Sequence, residues 1–171
     1  MKRIYYIILS LTVVVLDALS KWWIAAHIPL HTSVTVIPGL FQIVHVRNTG
    51  AAFGIGANSS SPLVPLILNG GAILVFFIVV AYSVRAAATD RLLQSGLHLI
   101  LGGAVGNLLD RFRFGSVVDF LDVYFVNGGS EHHWPAFNVA DSAICIGIAI
   151  LFLDMWRKPE PGREQAGELQ S

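Results

Sequence analysis

From Pro62 to Val84 the chain runs 23 residues without an Asp, Glu, Lys or Arg. A helix of about 20 apolar residues matches the hydrocarbon thickness of a bilayer, and few water-facing domains have room for such a run. Three other segments are apolar over a similar length: Leu92 to Leu109, also without charge, and Ile4 to about Ile28 and Phe137 to Trp156, which carry Asp17, Lys21, Asp141 and Asp154. Charged residues are 13% of the chain, against about 25% in soluble domains, and mean hydropathy is +0.66. The pattern predicts an all-α membrane protein. It has four transmembrane helices, over about 4–28, 62–85, 92–111 and 138–157, within one domain spanning 1–157. A net charge of zero gives no sign of nucleic-acid binding. The single cysteine, Cys145, excludes an intrachain disulfide and a Cys-rich metal site, and its apolar surroundings predict a packing role.

Basic residues set the expected orientation. With the N-terminus inside, Lys2, Arg3, Arg85, Arg91, Arg157, Lys158 and Arg163 are cytoplasmic, leaving Lys21, Arg47, Arg111 and Arg113 outside. Both termini are then cytoplasmic. Tyr5, Tyr6, Trp22 and Trp23 sit where interfacial aromatics belong, about 26 Å apart along a helix. "MKR" before an apolar run also resembles a cleavable signal peptide, but Asp17, Lys21 and the two tryptophans favour a retained helix. The tail, 158–171, has the Pro, Glu and Gly content of a disordered end.

The outer connections read as more than loops. "SVTVI" and "LFQIVHV" flank Pro38-Gly39 as two short strands, and a β-rich outer region is expected over about 33–54 and 114–136. "NTGAAFGIGANSSS" suits close backbone approach or a mobile segment. The small sheet and this extra segment belong to the extracytoplasmic face in the expected topology.

The unusual polar residues gather there. Asp17 and Lys21 share a helix face, and each would cost roughly 2.5 to 3.5 kcal/mol if isolated at the bilayer centre. They are expected to pair. "GGAVGNLLDRFRFG" presents a Gly102/Gly106 face for a close helix neighbour, and Asn107, Asp110 and Arg111 lie within one turn of each other. Two aspartates sharing one proton can hydrolyse a peptide without a metal. Asp141, at the head of the fourth apolar run, is one candidate; Asp119 and Asp122 in "VVDFLDVYF" are the others. In an extended strand these two point to opposite faces, so at most one can serve. Neither Ser20/Lys21 nor Glu131/His132/His133 has the geometry of a nucleophile site or the spacing of a zinc motif, and the histidines are expected to be solvated. A small transporter or proton-conducting bundle is the rival use of such carboxylates.

"DALSK", "RNTGAAF", "GGAVGNLLDRFRFGSVVDF" and "FNVADSAI" follow one another in a chain that, over about residues 4–157, resembles the lipoprotein signal peptidases, also called type II signal peptidases. The resemblance implies a multi-pass aspartic peptidase of the bacterial cytoplasmic membrane that cuts prolipoproteins just before a diacylglyceryl-modified cysteine. It implies Asp119 and Asp141 as the catalytic pair. Asp17, Lys21, Asn48, Gly50, Asn107, Asp110, Arg111, Asn138 and Ala140 become supporting or substrate-binding positions. Asn48 and Arg111 are expected near the substrate backbone or the dyad, with Asp17, Lys21, Asn107 and Asp110 holding outer segments. It implies no cofactor or metal, membrane lipid as surroundings and a monomer. Two departures stand out: Ala18 where the family usually has Gln, and a long loop, "VNGGSEHHWPA", between the dyad residues.

Overall fold

The computed structural model describes residues 3–50 and 63–157. The Gly- and Ala-rich stretch over 51–62 and the tail over 158–171, both given a character above, lie outside the described residues. The elements in chain order are α1 (Ile4–His27), β1 (Ser33–Ile37), β2 (Phe41–Asn48), α2 (Leu63–Arg85), α3 (Arg91–Phe114), β3 (Val117–Asn127), β4 (Ser130–His133) and α4 (Val139–Arg157). Three of the helices, α1, α3 and α4, are long and apolar enough to cross a membrane; in α2 the described apolar stretch, Asn69–Arg85, is shorter. Their outward faces are apolar: Leu11, Leu16, Trp22, Phe77, Phe152 and Met155 are all more than half exposed. A soluble monomer rarely shows so much contiguous apolar surface.

α3 is the hub, packed on α1, α2 and α4. Glycine makes the approach possible. A Cβ at Gly102 would lie 2.8 Å from Ser10 O of α1, and one at Gly106 2.6 Å from the Asp17 carboxylate. On the other side, Gly96 and Gly147 face each other, and a Cβ at Gly103 would overlap Ala140 O of α4. The Gly102/Gly106 face therefore serves α1, while a second small-residue face, Gly96 and Gly103, serves α4. At the end of the bundle away from the sheet, polar groups join α1, α2 and α3: Ser10 Oγ lies 2.9 Å from His98 Nδ1, Ser83 Oγ donates to Gln94 Oε1 at 2.9 Å, and the Arg3 guanidinium donates to the carbonyls of Ser83, Val84 and Ala86.

The four strands form one antiparallel sheet in the order β1-β2-β3-β4, so the two outer connections are a single structure rather than two. Gly39, at φ 74°, turns β1 into β2, and its N–H donates to the Tyr124 hydroxyl at 3.0 Å. Gly128 and Gly129, at φ 60° and 82°, close the β3–β4 hairpin, the two-residue turn with both φ positive that suits the strand twist. The loop expected over 126–136 is thus partly strand. Gly115, left-handed at φ 69°, ends α3 and sends the chain into β3; α3 itself runs to Phe114, past the expected end at 111. Val118 and Phe120 pack on Ile24 and Ile28, seating the sheet on the end of α1. Cys145, expected in packing, is exposed on α4.

The glycine faces make a stability prediction. Gly103→Ala forces backbone against backbone, with an expected loss of about 1–3 kcal/mol. Gly70→Ala, with nothing within 4 Å of its added Cβ, should be neutral or gain up to about 1 kcal/mol from helix propensity. Thermal unfolding in detergent separates the two.

Candidate active site

β3 carries Asp119 and Asp122 three residues apart, and the strand sends them to different places. Asp122 Oδ2 accepts from Gln42 Nε2 at 2.7 Å and pairs with His133 Nδ1 at 2.8 Å. Asp119 faces the start of α4: Oδ1 accepts from Asn138 Nδ2 at 2.7 Å and Oδ2 from Asn48 Nδ2 at 2.9 Å. Backbone pairing fixes that proximity. Phe137 is bonded to β3 in both directions, Phe137 N to Leu121 O at 3.0 Å and Leu121 N to Phe137 O at 2.8 Å, so Asn138 is delivered beside Asp119.

Asn138 then caps α4. Asp141 N donates to Asn138 Oδ1 at 3.0 Å, and Asn138 N reaches back to Asp141 Oδ2 at 3.3 Å, the reciprocal pair of a capping box. The other oxygen, Asp141 Oδ1, accepts from Asn107 Nδ2 at 2.7 Å. A carboxylate in the first turn also lies at the positive end of the helix dipole. Both aspartates are therefore held through Asn138, which is fully buried.

Behind them lies an ion cluster. Lys21 Nζ is 2.7 Å from Asp17 Oδ2 and 3.1 Å from Asp110 Oδ2 and donates to Asn107 Oδ1 at 3.0 Å, and only 4% of its side chain is exposed. Asp110 Oδ2 meets Lys21 as an ion pair without hydrogen-bond geometry. Asp17 Oδ1 accepts from Ala140 N at 2.9 Å, which ties α1 to the first turn of α4. Ala140 has no exposed surface, and Gly103 and Gly106 press against it. Asn107, expected to brace outer segments, instead links the cluster to Asp141. Asn48 bonds Asp119 directly and accepts Gly50 N at 2.9 Å, while Arg111 NH2 donates to Gly50 O at 3.0 Å, pinning the turn that supplies Asn48. Ala18 is exposed on α1, so its side chain lies outside this network.

Burial pushes the Asp119 carboxyl up to about 6; the amide of Asn48 opposes the rise and the charge of Asp141 adds to it. Among the described residues no cluster of three or more His, Cys, Asp or Glu side chains has the arrangement of a metal site. Between α2, α3 and α4 a cavity of about 250 Å³ is walled by Val75, Ala104, Asn107, Arg111, Asp141 and Ile144. It is mostly apolar, with its polar groups at the Asp141 end.

The sequence profile of Signal peptidase (SPase) II matches residues 9–157. The chain belongs to the signal peptidase II family. The lipoprotein signal peptidase of Syntrophotalea carbinolica is 46% identical over 91% of this chain and 92% of its own. That of Geobacter sulfurreducens is 47% identical over 84% and 86%. A solved bacterial membrane enzyme superposes with a TM-score of 0.76 at 30% identity, covering 91% of this chain and 92% of that one. Membership in signal peptidase II makes the chain a peptidase, and nothing in these likenesses favours a transporter.

His133 was expected to be solvated. It is exposed, as expected, and it also stacks on Tyr124 with ring centroids 5.2 Å apart and pairs with the buried Asp122. No sequence spacing announces this pair, because β4 must fold back before the two residues meet.

Two predictions follow from these pairs. Lys21→Met leaves Asp17 and Asp110 without their cation, with an expected cost of about 3–5 kcal/mol; adding Asp17→Asn should restore part of it, as read by thermal unfolding in detergent. His133 titrates above its ordinary value because Asp122 accepts its proton-bearing Nδ1. A raised histidine stabilises fully below its unfolded value and loses that contribution as pH rises through the folded one. Amide exchange across β3–β4 should therefore speed beyond its intrinsic pH dependence as pH goes from 6 to about 8, and His133→Phe, which keeps a ring over Tyr124, should abolish the excess.

Proposed function

We propose that the protein is a membrane-embedded aspartic endopeptidase that removes the signal peptide from diacylglyceryl-modified prolipoproteins, cutting just before the lipid-modified cysteine. One observation carries the proposal: two carboxylates, the buried Asp119 and the half-buried Asp141, are bonded to the same residue, and Asp141 lies at the polar end of an apolar cavity between helices. Asp119, with its proton favoured by burial, is the acid; Asp141, with two donors and a helix N-terminus, is the base. Asp141 takes a proton from water as the oxygen attacks the scissile carbonyl carbon, and Asp119 protonates the carbonyl oxygen. In the collapse, Asp141 returns its proton to the leaving amine and Asp119 recovers one from the gem-diol. Neutral products leave, and the pair again holds one proton.

Both termini lie in the cytoplasm, α2 supplies a fourth crossing, and the sheet and dyad stand at the outer face of the cytoplasmic membrane. Seven of eleven basic residues on the other side support this orientation. The precursor arrives sideways from the bilayer, its acyl chains along the cavity wall between α2 and α4. The enzyme works as a monomer among membrane lipids.

The test is cleavage of a diacylglyceryl-modified prolipoprotein in liposomes. Asp119→Asn and Asp141→Asn should each lower kcat by at least about 10³-fold, with the fold intact, and Asp122→Asn should keep most activity; full activity in either of the first two sinks the dyad. The rate should follow a bell-shaped pH profile. It falls on the acid side as both carboxyls protonate. On the basic side it falls as the shared proton is lost at or above about pH 6, the value to which burial raises Asp119. A flat profile with chelator sensitivity would exclude the mechanism.

A further inference from the structure

Asn138 has more bonds than a cap needs. Its Oδ1 is spent on Asp141 N and its backbone N–H on Asp141 Oδ2, which completes the capping box. The amide group remains. Nδ2 donates to Asp119 Oδ1 at 2.7 Å, and it lies 3.3 Å from Asn107 Oδ1 and 3.4 Å from Val118 O. All three are acceptors, and Oδ1 faces an N–H, so the amide has one orientation only: turned over, it would set oxygen against carboxylate and NH2 against N–H. A serine or aspartate caps a helix as well as asparagine does. Neither has the NH2 group. The two functions of Asn138 are thus carried by different atoms of one side chain.

Resting on the aspartic-dyad reading above, we infer that Asn138 is a positioning residue: its NH2 fixes the Asp119 carboxylate relative to Asp141, a function separable from its capping of α4. The amide plane is rigid, so placing Oδ1 on the α4 backbone also places Nδ2, and with it Asp119 Oδ1. Asn48 holds the other Asp119 oxygen from β2, the strand paired with β3. Asn138 is a direct side-chain link from the first turn of α4 to Asp119. A donor to Asp119 also stabilises its ionised form, so removing the donor moves the loss of its proton to higher pH.

The experiment compares Asn138→Ser and Asn138→Asp with wild type and Asp119→Asn, on the full-length protein in liposomes with a diacylglyceryl-modified prolipoprotein, reading kcat, KM, the pH profile and thermal unfolding. Asn138→Ser keeps a cap and loses the donor. The expected result is an unfolding midpoint near wild type, kcat lower by about 10- to 100-fold, KM within about twofold, and a basic limb displaced to higher pH. Asn138→Asp, the same shape with an oxygen facing Asp119, should displace the limb further and lower kcat more. Wild-type kcat with an unmoved limb in a folded Asn138→Ser or Asn138→Asp protein overturns the inference. So does a loss of kcat that only tracks a loss of stability with no movement of the limb. Asp119→Asn separates the two levels: if it still cleaves, the dyad itself fails and the inference with it; if it is inactive while both Asn138 variants behave as wild type, only the positioning role fails.

Discussion

A buried ammonium group organises this end of the molecule. Lys21 is almost fully enclosed, and a charge in such surroundings is tolerable only if acceptors surround it. Its acceptors come from two helices, Asp17 on α1 and Asp110 and Asn107 on α3. Asp17 spends its second oxygen on Ala140 N of α4. One cation thereby sets the relative height of three helices. The glycines of α3 are the steric counterpart, since only a backbone without Cβ lets α1 and α4 come close enough for these short side chains to meet. Electrostatics fixes the register and glycine the distance.

The second constraint is the beginning of α4. A helix that starts inside protein must find partners for its first N–H groups. Ala140 N goes to Asp17 and Asp141 N to Asn138, while Asn138 N, just ahead of the helix, goes to Asp141. The carboxylate proposed as the base is thus also a structural partner of its own helix, and its position is determined before any substrate arrives. The sheet does the same for Asp119. Phe137 acts as one residue of strand beside β3, so the register of that strand and the start of the helix cannot drift independently.

Much of this was legible in the sequence, and what was not has an identifiable cause. The helices announce themselves through long apolar runs, and Pro38-Gly39 marks the first hairpin because a turn needs those two residues and their neighbours alone. Asp17 with Lys21, and Asn107 with Asp110 and Arg111, are pairs at helical spacing, readable without tertiary structure. Asp119 against Asp122 was not decidable from the strand itself. Alternation says only that the two face apart; which face meets α4 depends on β2, β3 and Phe137 coming together across more than 70 residues. The resemblance to a family made that choice, and the geometry gives its physical content. The union of the two outer connections in one sheet, and the Asp122–His133 pair on it, were missed for the same reason: such contacts leave no periodicity in either segment.

The two ends of the bundle show why chemistry belongs to one of them. Both bury polar groups among the same helices. At one end Ser10, Ser83, Gln94 and His98 satisfy each other and Arg3 caps the carbonyls of the α2 terminus. Groups of that kind hold helices together at little cost in charge. At the other end three carboxylates of the bundle, Asp17, Asp110 and Asp141, meet a fourth from the sheet, and two cations face them: Lys21, committed to Asp17 and Asp110, and Arg111, which donates to Gly50 O beside Asp141 and Asp119. The hydrogen bonds that orient Asp119 and Asp141 come from amides. Amides orient a carboxylate without cancelling its charge, and the proposed mechanism relieves the repulsion between the two with one proton that they share. A shared proton is mobile, and a mobile proton beside an apolar cavity is what hydrolysis of a peptide requires.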